Sequence, residues 1–448
     1  MKPFEVFDQV FYNLPLFLML TIFFVSLLYF SVRNITSAGY FDPLHFVWTF
    51  TYGTSYALVS GLYFLGFIST FYFLLVLLSG LLFVTFFRFF LAYPSYSTTN
   101  LILKIIKPEI GFKTFFFIII SLYLIAVAYQ VSLVGFGMFA STNRFEQARG
   151  NGAVIRFLAA IIPFITAGFA IFLYNLKNKK GLSVKFAFLV FLLFLFMLFN
   201  SILNGSKMAI LTYIYSIVLG VALYTHRKPK FYFFKMFFLF VFVLFFALLV
   251  QSFDLKNQNL DASRAQYLPE KYFSIERLIF RVIGNGDQYY LGLPNAVVEE
   301  IETDSVVTRF VAPLVGSTNL SQLLDYNVNN YSVGRQITLY HSPGRETAGG
   351  ATSHFDLFAY KYFTIYFSWI WILVTAFILS AVIKIRRFSY GDIYVAAIGA
   401  QLWQSSLSIL IEPPIGVAKI IDVLIIFGLL KVVLYFVPKK QLYSETLK

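Results

Sequence analysis

The chain has 448 residues, 59% of them hydrophobic and only 12% charged, which excludes a soluble globular domain and reads as a polytopic membrane protein. Its 35 Lys and Arg against 21 Asp and Glu give a net charge of +14, which the loop positions assign to membrane topology rather than to nucleic-acid binding. With no cysteine, disulfides are excluded and redox logic is silent on the compartment.

In chain order, apolar stretches of about the 20 residues needed to cross a hydrocarbon core fall near 14–31, 45–65, 68–88, 114–138, 154–174, 186–204, 208–224, 234–251, 357–383, 391–410 and 416–437. The expectation is an all-α protein with about eleven transmembrane helices. Only a few residues are left to turn between the two stretches from Leu44 to Arg88. Met1–Val10 lacks the basic start of a cleavable signal, and no small-residue cleavage site follows the first apolar run.

Lysine and arginine stay on the cytoplasmic side of short loops. They gather at Arg88, Lys104, Lys107 and Lys113; at Lys177, Lys179, Lys180 and Lys185; at Arg227, Lys228, Lys230 and Lys235; at Lys384, Arg386 and Arg387; and at Lys439 and Lys440. With these spans, all five groups fall on one side, so the C-terminus is expected in the cytoplasm and the N-terminus outside.

The chain thus divides into residues 1–251 with eight spans, a large outer loop over 252–356, and residues 357–448 with three spans and a tail. Over half of the acids lie in this loop and just beyond it, so function is expected there. No internal repeat is visible and the spans carry few ionisable residues, which counts against a simple transporter.

Within the loop, a helix over 274–283 puts Arg277 and Arg281 one turn apart on one face, either to snorkel at the membrane surface or to hold phosphate. Further on, "YHSPGRETAGGATSHFDLFAYKYFT" runs from Tyr340 to Thr364. Ser353 and Asp356 have the spacing of a capping box for a helix entering the membrane near Phe358. Gly349 and Gly350 would let the backbone approach a ligand, and the helix N-terminus favours an anion. Arg335 and Arg345 on the preceding loop supply forked donors to phosphate oxygens. The same helix end would keep His354 neutral and able to accept a proton, while His341 lies outside the cap; an ordinary capped helix with a surface histidine is the alternative. Two short outer loops add cations: Arg144 and Arg149 in "STNRFEQARGNG", and Lys207 in "NGSKMAIL".

This layout resembles the Wzy-type O-antigen or oligosaccharide repeat-unit polymerases. The residues that carry the likeness are "NGSKMAIL", "RFEQARGNG" and "GGATSHFDLFAYKYFTIYF", with Lys207 standing where the family more commonly has arginine. The resemblance implies a metal-independent transferase of the glycosyltransferase-C type, without a cofactor, in the bacterial inner membrane with the large loop periplasmic. It implies as substrates undecaprenyl-diphosphate-linked glycans, and as partners the membrane lipids and a polysaccharide co-polymerase that controls chain length. On that reading Arg281, Arg335 and Arg345 hold the diphosphate. Arg144, Arg149, Lys207, Arg277 and Asp356 support substrate binding, and His354 is the base for the acceptor hydroxyl. An O-antigen ligase, which transfers to lipid A core, and a polysaccharide flippase, which forms no bond, are the alternatives.

Overall fold

The computed structural model describes residues 3–93, 96–139, 152–206, 208–230, 233–257, 266–345 and 349–436. The expected sites Arg144, Arg149 and Lys207 lie outside these, as do Glu346, Lys439 and Lys440. Among the described residues the protein is all-helical, with no strand.

The helices, in order, are α1 (Pro3–Tyr12), α2 (Leu14–Val32), α3 (Tyr52–Phe64), α4 (Thr70–Ala92), α5 (Ser97–Ile106), α6 (Phe112–Leu133), α7 (Gly152–Lys180), α8 (Val184–Asn204), α9 (Ala209–Thr225) and α10 (Phe233–Asn257). The acidic segment then forms α11 (Phe273–Ile283), α12 (Asp287–Gly292), α13 (Val297–Glu300), α14 (Val306–Val315), α15 (Ser317–Leu324) and α16 (Val333–His341). The chain closes with α17 (Phe355–Ile383), α18 (Ile393–Ile411) and α19 (Pro413–Tyr435). Seven of these, α2, α4, α6, α7, α8, α17 and α18, are long and apolar enough to cross a membrane, which makes the chain a polytopic membrane protein. All eleven apolar stretches of the sequence are helical, but α9 is shorter than these seven and α3 opens with the π-helical turn His45–Thr51.

Burial separates the peripheral helices from the central ones. In α2, Phe17, Leu20, Phe24 and Leu28 face the bundle at helical spacing, while Met19, Ile22, Phe23 and Phe30 stay exposed, as lipid-facing positions do. The apolar window of α18 is 83% buried and that of α7 72%, against 28% in α2, so α7 and α18 form the centre. Small residues allow this: a Cβ on Gly220 of α9 would lie 2.8 Å from that of Ala167 of α7. A Cβ on Gly416 would lie 2.2 Å from the backbone of Ile409, so the turn from α18 to α19 is closed by backbone contact. Thr364, at φ +59°, kinks α17 beside the exposed aromatics Tyr366, Phe367 and Trp369.

Four of the five basic groups meet at one end of the bundle, and the fifth lies outside the described residues. There Arg88 donates to the Ser31 carbonyl at 2.6 Å, Asn175 near the end of α7 donates to the Tyr224 hydroxyl at 3.1 Å, and Lys107 pairs with Asp392 at 2.6 Å. The acidic segment covers the opposite end and is not a separate body. Its Tyr289, Tyr290, Leu293, Val298 and Ile337 belong to the same hydrophobic core as the long helices. Only a small cluster of Ala312, Leu320 and Val328 stands apart. Glu299 ties this cap to the bundle by accepting from Tyr72 of α4 at 3.1 Å and from Tyr360 of α17.

Candidate functional site

The strap from Gly349 to His354 is tied to the cap by hydrogen bonds to Gly334, Asp287 and Gln288. Gly349 needs its glycine, at φ +105°. Gly350 lies against α16, where a Cβ would come 2.6 Å from the Arg335 Cα. At Gly350 the close approach is to helix α16, whereas a Cβ on Gly349 would meet nothing within 4 Å. The Ala351 N–H reaches the Gly334 carbonyl at 3.0 Å, and the Thr352 N–H donates to Asp287 Oδ1 at 2.8 Å.

The expected capping box is absent. His354 occupies the N-cap position of α17 without a side-chain cap bond. Ser353 Oγ accepts instead from the Gly334 N–H at 3.1 Å, and Asp356 accepts from the Tyr289 hydroxyl at 2.9 and 2.8 Å and from the Leu357 N–H at 2.8 Å. Spacing set up the box, but tertiary donors took both of its acceptors.

His354 is fully buried, with its ring stacked on Tyr289 at 4.8 Å and edge-on to Tyr52 at 4.9 Å. Its Nε2 lies 2.6 Å from the Asn285 carbonyl and must carry the proton there. Burial pushes its pKa down to about 4, against the opposing pull of that carbonyl. The ring is therefore neutral through desolvation rather than through a helix dipole. It is out of reach of a substrate hydroxyl, and so is Asp356, which is 1% exposed.

The arginines divide. Arg335 sits on helix α16 and not on a loop, 8% exposed, and donates to the Gly349 carbonyl at 2.8 Å and the Arg345 carbonyl at 2.6 Å. Burial, with the Arg345 charge beside it, makes Arg335 less basic than usual. The helix expected over 274–283 forms as α11, but its two arginines part company: Arg277 lies over the Phe273 ring at 5.0 Å, whereas Arg281, at the helix end, is exposed. Next to Arg277, on the buried face, Glu276 accepts from the backbone N–H groups of Gln266, Tyr267 and Leu268 at 3.0, 3.0 and 2.8 Å. His341 ends α16 with Nε2 2.8 Å from the Leu291 carbonyl.

Arg281 stands within electrostatic reach of Asp287, and Asp287 within reach of Glu412 at the turn between α18 and α19. Lys419, one helical face further along α19, acts on Glu412 in turn and donates to Ser408 Oγ at 3.0 Å. Burial drives the Asp287 carboxyl up to about 7, opposed by the Thr352 and Gln288 N–H groups and by Arg281, and assisted by Glu412. Burial raises Glu412 as well, with Lys419 opposing. Asp287 and Glu412 nonetheless keep part of their surface open, and Arg281 and Lys419 are exposed, so the four groups form a solvent-reachable run of alternating charge that joins cap to bundle. Alternating cations and carboxyls there can hold an anion and take up a proton near neutral pH.

Further along α19, Asp422 makes a two-pronged ion pair with Arg156 of α7, one arm at 2.9 Å, and Arg156 donates to the carbonyls of Pro313 and, at 2.7 Å, Leu314. The pair pins the apolar helix α14 against α19. Arg156, Lys419 and Asp422 were legible as ionisable residues inside the stretches 154–174 and 416–437, a signal that commonly marks function or interhelical pairing. Asp287 and Glu412 carried no comparable signal, because their environment comes from different parts of the chain. No family model, no curated protein and no solved structure matches this sequence.

Proposed function

We propose that the protein is an inner-membrane polymerase of undecaprenyl-diphosphate-linked oligosaccharide repeat units, of the Wzy type, with a glycosyltransferase-C-like arrangement. Counting α3 with its π-turn, α9, α10 and α19 as further passes gives the eleven expected from sequence, with the acidic cap periplasmic and the basic end cytoplasmic. The observation that carries the reading is the run of interacting charges Arg281, Asp287, Glu412 and Lys419 at the cap end of the bundle. In this proposal the base is Asp287 rather than the buried His354.

Arg281 and Lys419 hold the diphosphate of the donor, and charge growing on the departing phosphate oxygen strengthens both contacts. The acceptor hydroxyl oxygen, at the non-reducing end of a second lipid-linked repeat, attacks the anomeric carbon of the donor's first sugar. The bond from that carbon to the phosphate oxygen breaks, undecaprenyl diphosphate leaves with the electron pair, and the hydroxyl proton passes to Asp287. Burial, assisted by Glu412, raises the proton affinity of Asp287 so that it accepts near neutral pH. Lipid A carrying a single repeat in a strain lacking the gene supports the polymerase. Lipid A with no repeat indicates a ligase instead, and accumulation of inward-facing lipid-linked repeat indicates a flippase.

A further inference from the structure

At the basic end, remote from Asp287, the termini of α2, α4, α9 and α17 border an open cavity of about 570 Å³. Lysine and arginine at this end would ordinarily fan into solvent. Here His226, Lys384, Arg386 and Arg387 line one concavity, with Asn34 beside them and Ile35 on its apolar wall, and no carboxylate is among the lining residues. We infer that this cavity is a binding site for a phosphate group, carried by a lipid headgroup or free in solution.

The cations are held in place by the fold. His226 adopts a left-handed backbone, φ +52°, with its Nε2 2.6 Å from the Arg386 carbonyl. The Ser389 hydroxyl donates to the Leu223 carbonyl at 2.8 Å, and the Gly391 N–H to the Tyr224 carbonyl at 3.0 Å, so the 384–391 turn is locked onto the end of α9. Lys384, which lines the concavity, is nearly buried, with Nζ donating to the Tyr93 carbonyl at 2.9 Å and lying over the Tyr96 ring at 5.6 Å; Arg387 lies over the same ring at 4.6 Å. Close by, Lys228 is made less basic than usual by burial and then by repulsion from Arg386. Like charges held together in this way gain from an anion that neutralises them. A phosphate suits the forked guanidinium donors, and the apolar wall suits an attached acyl or glycerol backbone.

The test uses the purified full chain in detergent, with phosphatidylglycerol, phosphatidylcholine and inorganic pyrophosphate as probes. By native mass spectrometry the protein is expected to retain phosphatidylglycerol over phosphatidylcholine. The double variant Arg386→Gln, Arg387→Gln should lower that retention about tenfold or more. A rise in melting temperature with pyrophosphate alone, lost in the double variant, assigns the phosphate to solution rather than lipid and equally supports the site. Asn34→Asp, which adds a carboxylate at the rim and removes no cation, should weaken binding in the same way and serves if the double variant does not fold. Lys179→Gln with Lys180→Gln, on the same face but outside the cavity, should change nothing. Equal loss in that control, or unchanged binding of both probes in the cavity variants, overturns the inference.

Discussion

The N–H of Thr352 donates to Oδ1 of Asp287 at 2.8 Å, joining the glycine strap to the turn at which Arg281 ends its helix. Through this bond the strap, which reads in the sequence as the site itself, positions a carboxyl it does not contain. Asp287→Asn keeps an acceptor for Thr352 but removes the base. Turnover should fall about 10²–10⁴-fold, the usual worth of general-base catalysis. With the carboxyl near 7, the wild-type rate should rise with pH through that value. Glu412→Gln removes the neighbouring negative charge and should move this acid limb to lower pH. A pH–rate profile unchanged in both variants would remove Asp287 from the reaction.

Arg281 is both exposed and close enough to lower the proton affinity of Asp287. Arg281→Ala should therefore cost an order of magnitude or more in turnover, at roughly 1.5–3 kcal/mol per charged hydrogen bond. It should also shift the acid limb to higher pH. Arg281→Lys should restore the position of the limb but little of the rate, because a lysine cannot make the forked contact. A lysine variant with full activity would show that only charge matters there.

His354 should act on stability rather than chemistry. Its pKa is about 4 in the fold against an ordinary 6.5, so between these values the unfolded chain binds more protons than the native one. Stability is then fully present above pH 6.5 and is lost as pH falls toward 4. His354→Gln should melt lower at pH 7 and flatten this dependence in a detergent melting series. Its loss of turnover should be smaller than that of Asp287→Asn. The opposite order would return the base role to His354.

Removing Arg335 strands two carbonyls, those of Gly349 and Arg345, next to a tightly packed strap. Arg335→Ala should destabilise by about 1–3 kcal/mol and make the chain at Arg345 and Gly349 more sensitive to proteolysis. Arg345→Ala should be milder, since it is the backbone of Arg345 that Arg335 holds. Equal protease sensitivity of the two variants would refute this anchoring role.

If cations of the chain carry the diphosphate, the purified enzyme should polymerise in the presence of a chelator. Loss of activity that Mg²⁺ or Mn²⁺ restores would place a metal in the reaction.

Much of the architecture was present in the sequence because membrane helices must satisfy their own backbone and therefore announce themselves as long apolar runs. The stretches 154–174 and 391–410 appear as α7 and α18, and the basic groups gather at one end as their loop positions required. The sequence also marked 274–283 as a helix bearing Arg277 and Arg281, but whether each faced solvent or packed on a ring depended on what lay opposite. Ser353 and Asp356 have the spacing of a local cap, yet donors from Gly334 and Tyr289, distant in the chain, claimed them. The run of charges draws Arg281 and Asp287 from the cap and Glu412 and Lys419 from the start of the last helix, more than a hundred residues away. Local pattern records which groups a chain carries; desolvation and long-range proximity, which set their charge and reach, arise only when the cap folds onto the bundle.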